Sequence, residues 1–200
     1  MRTKHIPTAT RYTILKTKWG YFGLAGTDYG LLRSFLPVRD PQRAKSEILT
    51  ELESAGYDRA LFKKLQEQIR AYFEGTYVDF GRGIPLLLDG FSDFSRSVLG
   101  ACRGIRFGHT ISYGMLAQQV GKPGAARAVG RIMAGNPVPL IIPCHRVVRS
   151  DGTIGGFSAG GGVRLKKRLL ELERQGGARG PVSQRASLVT RDPEASAGMS

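Results

Sequence analysis

Three short apolar runs, separated by glycine-rich breaks, follow the first ten residues of the chain. They occupy residues 12–15, 21–25 and 31–36, and the breaks contain Trp19-Gly20 and the segment from Gly26 to Gly30. Apolar segments of this length, bounded by glycine and aspartate, are typical of β-strands. Their close succession predicts an antiparallel meander.

The pattern then changes to a helical period. Asp40 is placed to cap a helix whose first residue is Pro41, and this helix is predicted to run to about residue 52. A second helix is predicted over residues 58–75, because its apolar side chains recur every three or four residues. We interpret these side chains as core residues without a binding role: Leu61, Phe62, Leu65, Ile69, Tyr72 and Phe73.

Residues 76–91 contain glycine, proline and aspartate at positions that interrupt any regular period. Helices are predicted again after Ser92 and after Ser112, since each serine can cap the helix that follows it. Cys102 lies at four-residue spacing from apolar side chains on the first of these helices. It is therefore predicted to be a small core residue.

Two short helices, over residues 113–120 and 125–134, flank a turn at residues 121–124 that contains two glycines and a proline. This spacing predicts a helix-turn-helix unit. Arg127 and Arg131 lie one turn apart on the second helix, and the alanines at its start leave its N-terminal end, which favours anions, accessible. Two ordinary packed helices with solvated arginines are the alternative interpretation.

The last regular element is predicted over residues 163–174, after a loop at residues 155–162 that is too rich in glycine for a helix or strand. Leu165, Leu169 and Leu172 give this helix an apolar inner face, and its outer face is predicted to be basic. Gly176 is predicted to end it.

Together these elements predict an α/β (α+β) fold. Residues 1–85 are expected to form a small N-terminal domain, an antiparallel sheet with helices, and residues 86–175 a mainly helical C-terminal domain. Residues 176–200 are rich in glycine, serine and proline and are predicted to be disordered.

The distribution of charged residues along the chain suggests a binding partner. The net charge of the 200-residue chain is +14, and residues 101–200 carry 15 of the 30 Lys and Arg but 5 of the 16 Asp and Glu. A basic C-terminal half favours a polyanion such as nucleic acid, with a merely soluble basic surface as the alternative.

Few residues could hold a metal or form disulfides, since the chain has 2 cysteines and 3 scattered histidines. We therefore expect a reducing compartment and no metal. No apolar run is long enough to span a membrane, so the protein is expected to be cytoplasmic.

The segment from Asn136 to Val148 carries the strongest candidate chemistry, because it places Cys144 and His145 next to each other after three prolines. The prolines exclude a helix and predict a buried, extended ribbon. A thiol reacts as its thiolate and needs a nearby base. Neighbouring side chains of an extended chain point to opposite faces, so His145 can serve only if the chain bends or a water bridges the two groups.

A histidine base also needs an acid to orient it, and Glu171 and Glu173 on the last helix are both candidates by spacing. Two alternatives stay open on the residues alone. Cys144 could be an ordinary buried thiol, or the nucleophile of a cysteine hydrolase, for which the chain lacks a second, well-placed histidine.

Several motifs in residues 94–173 resemble the methylated-DNA-protein-cysteine methyltransferases, also called O6-alkylguanine-DNA alkyltransferases. They are Ile111-Ser112-Tyr113-Gly114, Ala126-Arg127-Ala128-Val129-Gly130, Asn136-Pro137-Val138-Pro139 and Pro143-Cys144-His145-Arg146-Val147-Val148, followed by the glycine loop and Leu169-Leu170. The resemblance implies a suicide repair protein that takes an alkyl group from O6 of guanine, with O4 of thymine as a further candidate, in double-stranded DNA. It implies no cofactor and a monomer, and leaves open whether molecules cluster on DNA.

The resemblance also implies roles for individual residues. Cys144 is expected to accept the alkyl group, and His145 and Glu173 to form a proton relay through a water. Tyr113 is expected to assist rotation of the base and proton transfer to it. Arg127 matches the arginine that replaces the extruded nucleotide, and Asn136 matches a structural hinge. Further DNA contacts are expected from Ala126, Ala128, Gly130 and Arg131, and the substrate pocket from Pro139, Val147, Val148, Phe157 and Ser158.

Two other functions remain as alternatives. One is a non-catalytic protein that binds alkylated DNA, and the presence of Cys144 argues against it, since such proteins carry another residue there. The other is a helix-turn-helix regulator that binds DNA by sequence.

Overall fold

The computed structural model describes residues 9–81 and 83–177. Its N-terminal part is a sheet in which strands β1 (Arg11–Thr17), β2 (Gly20–Thr27) and β3 (Gly30–Val38) run antiparallel. The predicted meander is confirmed. A fourth strand, β4 (Gly56–Tyr57), pairs in parallel with β1 and gives the order β3-β2-β1-β4. The sheet is therefore mixed, and two residues are too few to carry an alternating pattern that sequence could reveal.

The helices that cover this sheet are shorter than predicted. Helix α1 (Pro41–Leu49) begins as expected, with the Asp40 carboxylate accepting backbone N–H bonds. Helix α2 (Lys63–Phe73) begins five residues late, since Phe62 has a left-handed backbone with φ of 52°. The preceding turn is stabilised by the Asp58 side chain, which accepts from the N–H of Ala60 at 2.8 Å. This local bond competes with helix formation.

After residue 91, the described part of the chain contains four α-helices, a short parallel strand pair and one turn of 3₁₀ helix. The strand pair joins β5 (Ile111–Ser112) to β6 (Val147–Val148). Ser92 and Ser112 cap the helices that follow them, as predicted, by accepting N–H bonds from Ser95 and Met115. The helices are α3 (Asp93–Arg103), α4 (Tyr113–Gln119), α5 (Ala126–Ala134) and α6 (Gly162–Gly177). The mixed α/β class is confirmed, whereas α6 continues past Gly176.

The proline-rich segment is buried as predicted, but it is not an extended ribbon. The chain reverses at Leu140, whose φ is +78°, and the N–H of Ile142 donates to the carbonyl of Val138 at 2.9 Å. Residues Cys144–Arg146 then form a turn of 3₁₀ helix. Prolines exclude an α-helix but are compatible with turns, which is why both outcomes fit the same sequence.

One large apolar cluster spans the sheet, α2 and the C-terminal helices. It includes Cys102, which is fully buried, so its predicted core position is confirmed. The division at residues 85 and 86 stays a prediction, and the predicted disordered tail lies outside the described residues from 178 onward. Within the described ranges, no helix is long and apolar enough to cross a membrane.

Candidate active site

Cys144 lies in the 3₁₀ turn at the bottom of a cleft of about 760 Å³. Its side chain is 5% exposed, and its backbone N–H is held by the carbonyl of Ile142 at 2.8 Å. Helices α4 and α5 form one side of the cleft and the glycine loop before α6 forms the other. Its lining comprises Tyr113, Gly114, Ala126, Arg127, Gly130, Met133, Ala134, Cys144, Arg149, Ser150, Asp151, Gly155, Gly156, Phe157 and Ser158.

The bend in the chain turns His145 away from Cys144 and into the core, where it meets Glu173. Nε2 of His145 lies 2.7 Å from Oε1 of Glu173, and both side chains are 1% exposed. The alternative acid, Glu171, is on the surface and pairs with Arg174 at 2.8 Å. Of the two carboxylates that residue spacing left open, the one in contact with His145 is thus Glu173, which the family resemblance implies.

Glu173 also holds the guanidinium of Arg146, which donates from Nε and Nη2 at distances of 2.8 to 3.1 Å. Burial alone would raise the pKa of Glu173, but His145 and Arg146 lower it well below the usual range. The carboxylate is therefore ionised at neutral pH. Nη1 of Arg146 is also used, since it donates to the carbonyl of Ile105 at 2.6 Å.

The tautomer of His145 follows from this arrangement. An ionised carboxylate accepts hydrogen bonds and cannot donate them, so the imidazole proton is assigned to Nε2 and the lone pair to Nδ1. Burial lowers the pKa of His145 against the opposing effect of Glu173. The ring is therefore neutral at pH 7 and able to accept a proton at Nδ1.

The thiol is also neutral at rest. Burial raises the pKa of Cys144, and the Asn136 side chain and the Lys166 ammonium oppose this shift. Burial likewise raises the pKa of Cys102, well above the usual range. Cys144 differs from Cys102 in that it reaches a cleft and has groups beside it that stabilise a thiolate.

Lys166 was not predicted as a site residue. The basic outer face of α6 is confirmed by the exposed Arg164, Lys167 and Arg168, but Lys166 is not part of it. It points inward and is fully buried, with Nζ donating to the carbonyl of Val147 at 2.6 Å and to the hydroxyl of Tyr113 at 3.4 Å. Burial lowers the pKa of Lys166 to about 8. Lys166, Leu169 and Glu173 occupy helix positions i, i+3 and i+7, so the helical period itself signals two inward-facing charges.

Tyr72 corrects a second expectation. It is buried in the core as predicted, but its hydroxyl donates to Oε1 of Glu173 at 2.7 Å and lies 3.4 Å from Nε2 of His145. Burial raises its pKa, which keeps the phenol protonated as a donor. The sequence signal was its hydroxyl, since a buried tyrosine usually needs a hydrogen-bond partner.

Helix α5 presents Arg127 to the cleft, together with Ala126 and Gly130. A side chain at Gly130 would meet the Tyr113 ring at 4.0 Å, so the two helices are close there. Ala128 and Arg131 lie on α5 but are not among the lining residues. The predicted DNA-contacting residues thus divide into cleft residues and helix-surface residues.

The predicted pocket residues do not all line the same cleft. Phe157 and Ser158 line the cleft, and the Ser158 hydroxyl donates to the carbonyl of Ala134 at 2.7 Å. Val147 and Val148 form β6, and their buried side chains are not among the lining residues. Pro139 lines a second, smaller cleft that also contains Cys144.

Asn136 joins the end of α5 to the proline-rich segment. Its backbone N–H donates to the carbonyl of Met133 at 3.3 Å, and its side-chain amide donates to the carbonyl of Ile142 at 2.8 Å. Its side-chain oxygen accepts from the N–H of Val138 at 3.1 Å. These bonds brace the loop that carries Cys144, and the hinge role of Asn136 stays a prediction.

Known proteins resemble both parts of the chain. A family model described as "6-O-methylguanine DNA methyltransferase, DNA binding domain" matches residues 93–175. The methylated-DNA-protein-cysteine methyltransferase of Mus musculus is 39% identical over 174 residues, covering 82% of this chain and 81% of that protein. The Mycobacterium tuberculosis H37Rv protein of the same name is 44% identical over 117 residues, covering 58% of this chain and 68% of that protein.

Solved structures agree with this similarity. The crystal structure of Mycobacterium tuberculosis O6-methylguanine methyltransferase aligns with a TM-score of 0.66 and 34% identity, covering 86% of this chain and 96% of that one. The M. tuberculosis protein in complex with DNA aligns with a TM-score of 0.67 and the same identity and coverage. The similarity extends through the sheet as well as the helices. The chain therefore belongs to the family of methylated-DNA-protein-cysteine methyltransferases.

Proposed function

We propose that the chain repairs double-stranded DNA by moving the alkyl group of O6-alkylguanine onto Cys144, once per molecule. The main support is the position of Cys144, a buried thiol that lines a cleft. The next residue in the chain is a histidine that is hydrogen-bonded to an ionised carboxylate. A cleft of about 760 Å³ has the size of a small-molecule site, which suits one base taken out of the helical stack.

Helices α4 and α5 are the proposed DNA-binding helix-turn-helix unit. Ala126 and Gly130 leave little side-chain bulk on the cleft side of α5, which permits close approach of a nucleic-acid backbone. Arg127 is exposed and lies at the cleft, where it can fill the space left by the extruded nucleotide. The net charge of +14 adds phosphate attraction that depends on salt.

The proposed reaction is a single displacement. The Cys144 proton passes through a bridging water to Nδ1 of His145, and Glu173 stabilises the imidazolium that forms. The thiolate attacks the alkyl carbon, so the sulfur–carbon bond forms as the carbon–O6 bond breaks. The electron pair of the broken bond goes to O6, and the guanine then takes a proton from Tyr113.

The proposed role of Lys166 is to compensate charge that forms on Tyr113 during the reaction. Burial raises the pKa of Tyr113, so the phenol is protonated before reaction and carries negative charge after giving up its proton. The Lys166 ammonium, 3.4 Å from that oxygen, would then compensate the charge. The product thioether has no acidic proton and no leaving group, which makes the transfer irreversible.

The proposed active unit is a monomer. One acceptor per chain makes a monomer sufficient for the reaction. Two free cysteines, Cys102 and Cys144, suit a reducing compartment such as the cytoplasm, since oxidation of Cys144 would remove the acceptor.

The transfer assay with isotopically labelled O6-methylguanine in duplex DNA tests this function. We expect intact-protein and peptide mass spectrometry to find one methyl group, on Cys144, and no turnover beyond one equivalent. Cys144→Ala should accept none, whereas Cys102→Ala should still accept one. Label on Cys102, or repeated turnover, contradicts the proposal.

The same assay separates the alternatives. A non-catalytic binder of alkylated DNA would retain tight binding in both wild type and Cys144→Ala, with no methyl acceptance by either. A helix-turn-helix regulator would prefer one duplex sequence regardless of alkylation.

A further inference from the structure

Strand β3 of the N-terminal sheet holds the proline-rich segment directly. The backbone N–H of Ser34 donates to the carbonyl of Pro137 at 3.0 Å, and the Ser34 hydroxyl donates to the carbonyl of Pro139 at 2.8 Å. Ser34 is 4% exposed, so both bonds are shielded from water. One residue, more than a hundred positions earlier in the chain, thus fixes the segment on either side of Val138.

A second cleft lies between this strand and Cys144. Its volume is about 360 Å³, and it shares Met133, Cys144 and Phe157 with the larger cleft. Cys144 therefore faces both spaces. The larger one adjoins α4 and α5, and the smaller one leads toward the sheet.

The smaller cleft has a mixed lining, in which three aromatic rings accompany polar side chains such as Arg33 and Asn136. Phe35, Phe91 and Phe157 line it together with Pro139. The Phe35 ring also borders the glycine loop, since a side chain added at Gly160 would meet its Cζ atom at 3.7 Å. Rings and proline edges of this kind favour a hydrophobic, planar substituent.

We infer that β3 forms the far wall of the alkyl-accepting site and sets the upper size of the alkyl group that Cys144 can take. The inference rests on the proposed function. A methyl group stays within the close-packed surroundings of the sulfur, whereas an aromatic alkyl group on O6 must extend past Cys144. The smaller cleft is the space that can receive it, with Phe35 in its lining and Ser34 holding its Pro139 side.

The two residues act differently. Phe35 takes up part of the space, so a smaller side chain enlarges the cleft and a larger one reduces it. Ser34 is a positioning residue, because it acts through the carbonyls of Pro137 and Pro139. Without its hydroxyl, the Pro139 carbonyl loses a buried donor and the wall is free to shift outward.

The test compares second-order transfer rates from O6-methylguanine and O6-benzylguanine placed in the same duplex. We expect Phe35→Leu to raise the benzyl-to-methyl rate ratio and Phe35→Trp to lower it, each by about tenfold, the scale on which pockets distinguish small changes in apolar volume. Ser34→Ala should raise the ratio, and Ser34→Thr, which keeps the hydroxyl, should restore it toward wild type. Ser46→Ala, at an exposed position on α1, serves as the matched control with no change in ratio.

The ratio is independent of the amount of active protein, so partial misfolding of a variant does not move it. Equal ratios in wild type, Phe35→Leu and Phe35→Trp would overturn the inference. A change in Phe35 variants with none in Ser34→Ala would overturn the part assigned to Ser34. Absence of transfer from either substrate to wild-type Cys144 would instead refute the proposed function itself.

Discussion

The buried carboxylate of Glu173 is in contact with several charged and polar groups of the site. It accepts hydrogen bonds from Tyr72, Arg146 and the N–H of Gly108, and it contacts His145. A buried ion pair such as Glu173 with Arg146 contributes little net stability, because desolvation offsets the attraction, although removing one partner typically costs about 3–5 kcal/mol. The network instead orients the His145 ring, because it holds the imidazole in one tautomer with Nδ1 as the base.

Lys166 is expected to make stability depend on pH. Its pKa in the folded protein is about 8, below the value of about 10.4 for an unfolded lysine. Between these values the unfolded chain binds more protons, so stability rises with pH, and below about pH 8 this contribution is constant. Relative to Lys166→Met, wild type should therefore gain about 2 kcal/mol in free energy of unfolding between about pH 7.5 and 9.5.

Urea denaturation of both proteins at each pH measures this difference. Lys167→Met is the matched control, because Lys167 is the exposed neighbour on the same helix. A difference between wild type and Lys166→Met that does not vary with pH would show that the buried ammonium is not penalised as we expect.

Helix α5 combines two arginines with different surroundings. Arg127 lines the cleft, whereas Arg131, one turn later, does not. An arginine at the cleft can stabilise the extruded state of the base, while one on the helix surface can contact phosphates on any sequence. Under the proposed function, Arg127 is assigned to base extrusion and Arg131 to general DNA affinity.

Arg127→Ala should slow methyl transfer from duplex DNA at saturating protein by about ten- to hundredfold, as expected when part of a few kcal/mol of extrusion cost is no longer offset. Transfer from free O6-benzylguanine base, which needs no extrusion, should change far less. Arg131→Ala should weaken duplex binding and reduce its salt dependence while leaving the saturated rate near wild type. Rapid-quench kinetics on the three proteins measure these rates, and equal losses with duplex and free base would contradict the assignment to Arg127.

At the scale of the whole molecule, the site is built by packing two parts of the chain together. The sheet supplies Ser34 and Phe35, α2 supplies Tyr72, and α6 supplies Lys166 and Glu173. These elements belong to one apolar cluster, so a change at Cys144 is transmitted to a close-packed interior.

Alkylation of Cys144 should therefore lower the melting temperature. The side chain is 5% exposed and its turn is held by backbone bonds. An added methyl group overpacks the site at a cost of about 1–3 kcal/mol, and each kcal/mol lowers the midpoint by about 2–4 °C in a chain of this size. Calorimetry before and after complete methylation measures the shift, with mock-treated Cys144→Ala as control, and an unchanged or raised midpoint would contradict this expectation.

Sequence alone determined the features that depend on neighbours in the chain. The three strands of the meander, the serine caps at residues 92 and 112 and the core position of Cys102 follow from local period and local hydrogen bonding. The paired Cys144 and His145 and their motif were also enough to indicate the family. These signals need no knowledge of what packs against them.

Tertiary structure decided the rest. Residue spacing did not distinguish Glu173 from Glu171; the family resemblance implied Glu173, and the orientation of α6 places it against His145. The same orientation buries Lys166, which a basic helix would be expected to expose. The turn at Leu140, the contact of Tyr72 with Glu173 and the bonds from Ser34 join residues far apart in sequence. Their positions result from the packing of the whole core, because the free energy of burying a charge or bending a chain depends on partners that local sequence does not contain.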